Sequence, residues 1–150
     1  MQNYLFNVYK IMIKNILVFI LIFFVGNICK ADTIDYWHVY YNKKKLKEFN
    51  QVNPKVTLEF QISNIKNGDS ITIKYFRDTG CSECFTTLTV EDEKHIVTSN
   101  HGKGTFNPLS ISLTDILRYK EQSSKNYFEI YYYENEERTN GMLLFRVKLE

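Results

Sequence analysis

Apolar and polar residues alternate with a period of two along most of the chain beyond residue 35. Val56, Leu58, Phe60 and Ile62 alternate with Thr57, Glu59 and Gln61. Ile71, Ile73 and Tyr75 alternate with Thr72 and Lys74, and Leu88 and Val90 with Thr87, Thr89 and Glu91. The same rhythm returns at Leu109, Ile111 and Leu113, and again at Leu143, Phe145, Val147 and Leu149. Successive side chains of a strand point to opposite faces, so each set predicts a strand with one buried face. Two further runs, 35–41 and 127–133, are dense in aromatic and β-branched residues, the types that pack best on a pleated surface. His95 to Thr98 is a weaker strand pattern. Lys44 to Phe49 reads as an edge strand that keeps its lysines in water.

Turn chemistry separates these runs. Asn42-Lys43 and Asn67-Gly68-Asp69 are turn signals, and Gly102-Lys103-Gly104 with Pro108 marks a loop. Thr114 is placed to cap a short helix ending near Lys120, with Ile116 and Leu117 as its apolar contacts. The sum predicts an all-β fold, an antiparallel immunoglobulin-like sandwich of about eight strands with one short helix. Its core takes Val56, Leu58, Phe60, Ile71, Ile73, Leu88, Val90, Ile111, Phe128, Ile130, Phe145 and Val147. No strand–helix–strand alternation predicts a parallel sheet or a dinucleotide crevice.

The first 31 residues differ from the rest. They hold no Asp or Glu, and Lys10 and Lys14 precede a ten-residue apolar run from Ile16 to Val25. A bilayer-spanning helix needs about 20 residues. A basic start, a short apolar core and small residues at Cys29 and Ala31 define a secretory signal, with the cut before Asp32. The alternative is an uncleaved anchor stretching from Ile11 to Ile28, which would be the chain's only membrane contact. The expectation is therefore a signal peptide at 1–31 and one domain at 32–150, exported to the periplasm or the cell exterior. Removing the signal leaves 16 basic and 17 acidic residues, so the +2 of the whole chain becomes −1. Such a balance offers no general attraction to nucleic acid.

Candidate chemistry centres on Cys81-Ser82-Glu83-Cys84 after Gly80. An exported protein with one pair of cysteines predicts a disulfide. An extended strand would hold the two residues about 10 Å apart, so the chain must turn there. Free or redox-active thiols are a second reading, weakened because a strand pattern follows the pair where a thiolate-stabilising helix would be wanted. Zinc is a third, through Cys81, Cys84, His95 and His101. The spacing is near a two-Cys, two-His finger, but the central interval falls short of about twelve residues and Ile96-Val97-Thr98 is β-prone.

The run Tyr127-Phe128-Glu129-Ile130-Tyr131-Tyr132-Tyr133 must place Tyr127, Tyr131 and Tyr133 on one face. If the opposite face is core, these tyrosines either pair with neighbouring strands or present a stripe to a sugar or peptide. Glu91-Asp92-Glu93 lacks the spacing of a calcium loop and reads as a solvated turn. His101-Gly102-Lys103-Gly104 reads as a flexible polar loop. No nucleophile elbow, phosphate loop or zinc-protease motif is present, and no cofactor is called for.

The segments from Asp35 to Asn42, from Tyr75 to Cys84 and from Leu144 to Glu150 resemble small uncharacterised exported β-sandwich proteins of Bacteroidetes-type bacteria. The resemblance implies export and a sandwich, and no particular activity. The expected function is a non-enzymatic exported module that binds or assists a protein or glycan partner. The alternative is a thiol/disulfide or zinc protein built on Cys81 and Cys84.

Overall fold

A computed structural model describes residues 12–16, 34–52, 56–93, 95–135 and 141–150. The chain divides into Met1–Asp32 and Thr33–Glu150. The signal segment and its cut lie outside the described residues, apart from 12–16, which are helical. Among the described residues no helix is long and apolar enough to cross a membrane.

The second unit is a two-layer β-sandwich. Its strands are β1 (Tyr36–Tyr41), β2 (Lys44–Asn50), β3 (Thr57–Phe60), β4 (Ser70–Phe76), β5 (Phe85–Glu91), β6 (Ile96–Lys103), β7 (Leu109–Ser112), β8 (Tyr127–Glu134) and β9 (Met142–Leu149). One helix, α1 (Leu113–Ser123), connects β7 to β8. One sheet has the order β2-β1-β4-β7 and the other β3-β9-β8-β5-β6. Every pairing is antiparallel except one: β3 runs parallel to β9, with Leu58 opposite Val147. The expectation of a purely antiparallel sandwich is corrected there. β3 and β9 are far apart in the chain, so no hairpin dictates their mutual direction.

Local chemistry sets the element ends. Asn42 and Lys43 both take positive φ, 45° and 70°, the two-residue turn that matches the twist of a β1–β2 hairpin. Asp69 ties that turn to the next strand: it accepts from the Tyr41 hydroxyl, from Asn42 Nδ2 at 2.8 Å and from the Lys66 amide at 2.8 Å. Ser112, not Thr114, caps α1, accepting from the Asp115 amide at 3.2 Å, and the helix runs on to Ser123. Ser112-Leu113-Thr114-Asp115 places the capping oxygen and an acidic residue three apart, the arrangement a helix start prefers. β6 reaches Lys103, because residues 98–103 stay in register with β5, so His101-Gly102-Lys103 is strand and not loop.

The core lies between the sheets. Trp37, Phe128, Phe145, Ile71, Leu88 and Ile130 are its largest fully buried side chains, and Leu113 and Ile116 of α1 join them. Nine of the twelve expected core residues are buried; Val56, Leu58 and Phe60 are only partly so, because β3 is a four-residue edge strand. β2, an edge of the four-stranded sheet, exposes Lys44, Lys45 and Lys47 as expected.

Candidate functional site

Alternation along β8 divides it as expected. Phe128, Ile130 and Tyr132 enter the core, while Tyr127, Glu129, Tyr131 and Tyr133 face outward. Register then builds a polar row across the outer face of the five-stranded sheet. Glu91 lies opposite Glu129, and Glu129 opposite Arg146. The guanidinium reaches Glu129 Oε1 through Nε at 2.9 Å and Nη2 at 2.7 Å. The Tyr131 hydroxyl donates to Glu129 Oε2 at 2.8 Å, and that of Tyr133 to Glu91 Oε1 at 2.9 Å. Burial alone would raise the Glu129 carboxyl, but Arg146 and Tyr131 outweigh it and hold it below the usual carboxylate range. Burial and the Glu129 carboxylate push Tyr131 up to about 12.

At the Glu91 end of β5 this row opens into a cavity of about 440 Å³, a size ordinary for small-ligand sites. Glu91, Asp92, Glu93, Lys125, Asn126, Tyr127, Glu129 and Arg146 line it. Tyr127 is exposed, whereas Tyr131 and Tyr133 are half-buried with their hydroxyls engaged. Of the three ligand-facing tyrosines read from sequence, the cavity therefore takes Tyr127 alone. Gly141 gives Tyr133 its place, since a Cβ there would sit 2.3 Å from the ring. The solvated-turn reading of Glu91-Asp92-Glu93 holds for Glu93 and fails for Asp92. The Asp92 carboxylate is only 6% exposed and accepts from Tyr119 at 2.6 Å and from the His95 amide at 2.8 Å.

The cysteine pair sits at the other end of β5. The sulfurs of Cys81 and Cys84 are at bonding distance with Cα atoms 5.6 Å apart, within a turn. The turn is held from both sides by backbone: the Gly104 amide donates to the Cys84 carbonyl at 2.8 Å and the Thr105 amide to the Cys81 carbonyl at 2.9 Å. Thr105 is buried, and its hydroxyl accepts from the Cys81 amide at 2.8 Å and donates to Glu134. Glu134 also receives Arg77 at 2.5 Å. The Phe106 ring fills the space where a side chain at Gly80 would stand.

The four zinc candidates are not brought together. His95 lies at the β5–β6 turn beside Asp92, and His101 shares a 3.0 Å hydrogen bond with Thr87 on the sheet. The six residue steps of extended chain from His95 to His101 span about 20 Å. Among the described residues no group of three or more Cys, His, Asp or Glu side chains is arranged to hold a metal.

Sequence reading missed the pairs Glu129–Arg146 and Arg77–Glu134, which join residues 17 and 57 apart. The one available signal was Glu129 amid outward tyrosines. No family model matches the chain, and no curated protein or solved structure gives a match. Fold and site together define an all-β sandwich that carries a charged, tyrosine-edged cavity on one sheet.

Proposed function

We propose that the protein is an exported binding module whose outer five-stranded face holds a glycan. The observation that carries this reading is the cavity, where carboxylates, a guanidinium and an amide surround an exposed tyrosine. Sugar hydroxyls both donate and accept, and such a set answers both roles while Tyr127 offers a flat apolar wall. The face binds its ligand and does not turn it over.

The sandwich is best read as immunoglobulin-like. Two features support this: the order β9-β8-β5-β6 follows the G-F-C-C′ sheet of that fold, and β3 adds beside β9 after the chain leaves the other sheet. Export rests on the signal pattern of residues 1–31.

Binding of the purified full chain to an array of bacterial and plant glycans tests the reading. Hits that weaken at least tenfold in Tyr127→Ala and in Arg146→Ala, with melting unchanged for Tyr127→Ala, would support it. Wild-type protein that captures no glycan, or hits untouched by both variants, would overturn it.

A further inference from the structure

Away from that cavity, at the opposite end of β5, we propose that Cys81 and Cys84 form a thiol–disulfide exchange centre with Cys81 as the attacking sulfur. Three observations carry it. The Cys84 amide donates to Cys81 Sγ at 3.1 Å, a hydrogen bond that favours the charged form of a Cys81 thiolate. Cys84 Sγ receives no such donor among the described residues, so the two sulfurs are chemically unequal. Both residues are partly exposed and flank the exposed Ser82 and Glu83, so this turn faces solvent and a partner.

The third observation is that hydrogen bonds hold the turn alongside the sulfur bond. Gly104, Thr105 and the Cys81 amide pin it from outside. Both redox forms can therefore keep the geometry in which Cys84 N–H meets Cys81. Thr105 is the positioning residue: it links Cys81 to Glu134, itself fixed by Arg77. Two ion pairs lie beside the turn, Glu134 with Arg77 and Glu83 with Lys103, and Asp78 lies three residues before Cys81. The amide is what sets Cys81 apart from Cys84.

The exchange balances as follows. In the reduced form the Cys81 thiolate attacks one sulfur of a partner disulfide. The partner bond breaks, a mixed disulfide forms, and the departing partner thiolate takes a proton from water. Cys84 then gives its proton to water and attacks Cys81 Sγ, re-forming the internal bond and releasing the second partner thiolate. The partner gains two electrons and the pair loses two; an external dithiol returns them.

The test uses the full chain, reduced with dithiothreitol, freed of reductant and alkylated with iodoacetamide at a series of pH values, with each cysteine followed by mass spectrometry. Near neutral pH Cys81 is expected to react about tenfold faster than Cys84, with its titration midpoint well below the ~8.5 of a free thiol. Cys84→Ser keeps the amide donor, so Cys81 keeps its low midpoint, while Cys84 in Cys81→Ser behaves as an ordinary thiol. Thr105→Val is expected to stay folded by circular dichroism and to move the Cys81 midpoint upward. Reduced protein is expected to re-form the bond in oxidised glutathione through a Cys81 adduct. Equal alkylation of the two cysteines, an ordinary midpoint at Cys81, or failure to exchange with glutathione would overturn the proposal. A Thr105→Val midpoint equal to wild type would remove Thr105 from it.

Discussion

The two ends of β5 stand about 20 Å apart on the same strand and are organised differently. At Phe85 the chain enters from a turn held by backbone amides, one buried threonine and a carboxylate that is 17% exposed. At Glu91 it leaves into an open cavity where long side chains pair in water, as Lys125 does with a Glu93 that is 81% exposed. Fixed short-range donors hold one geometry; flexible charged side chains leave room for a ligand to replace their partners. The first arrangement suits a reacting sulfur and the second suits recognition.

What the ends share is the strand between them. Leu88 is fully buried on the inward face of β5, opposite Asn100 and Tyr132. Leu88→Ala is expected to cost about 2–5 kcal/mol and to loosen both ends together. Chemical denaturation checks the cost. Hydrogen exchange at residues 81–85 and 91–93 checks the coupling, and a loss confined to one end would show that they are independent.

Charge removal should separate the ends. Glu134→Ala removes the acceptor of Arg77 and the nearer of two acceptors of the buried Thr105 hydroxyl, which keeps the Cys81 carbonyl at 3.2 Å, at a cost of about 1–3 kcal/mol. Glu93→Ala removes an exposed pair and should leave the melting temperature unchanged. Equal effects in the two variants would mean that the two ends of β5 are held alike.

The disulfide contributes less than its surroundings. A loop this small stabilises by about 2 kcal/mol. Replacing Cys81 and Cys84 by Ser should lower the melting temperature by several degrees and leave a folded sandwich, since the amides of Gly104 and Thr105 still pin the turn. Unfolding of the double variant at room temperature would mean that the sulfur bond, and not the backbone, holds that end.

The period-two pattern specifies which face a residue takes, and on that the sequence was legible. Phe128 and Ile130 went in, Glu129 and Tyr131 out, and the lysines of β2 marked an edge. Asn42 predicted its turn because few residues tolerate positive φ. Alternation does not say which strand lies alongside. The direction of β3 against β9, the partial exposure of Phe60 and the pairing of Glu129 with Arg146 all depend on that neighbour. Asp92 looked solvated because Tyr119, which donates to it, is 27 residues away on a helix. The cysteine turn was legible from two cysteines three residues apart, which an extended chain cannot join, but its support by Thr105 and Glu134 was not, since these come from the β6–β7 connection and the end of β8.

The smallest expected effect sharpens the contrast from the cavity side, through pH. Glu129 is held below the ordinary carboxylate range in the folded state, and Tyr131 is pushed up to about 12. For a depressed carboxyl the contribution is present above its unfolded pKa, about 4.3, and is lost as pH falls through the lower folded value. For a raised phenol the contribution is present below its unfolded pKa, about 10, and is lost as pH rises through about 12. The Glu129–Arg146–Tyr131 group should therefore stabilise the sandwich across the middle range and fade at both extremes. Glu129→Gln should be less stable than wild type at neutral pH and approach it on acidification, because protonating Glu129 releases the same partners. Tyr131→Phe should remove the Tyr131 share of the alkaline decline and also soften the acid one, because its hydroxyl helps hold the Glu129 carboxyl down. Melting temperatures of the three proteins across pH decide this. A Glu129→Gln deficit that stays constant down to acid pH would show that the carboxylate's charge contributes nothing to the outer face, and would leave its row of partners as shape alone.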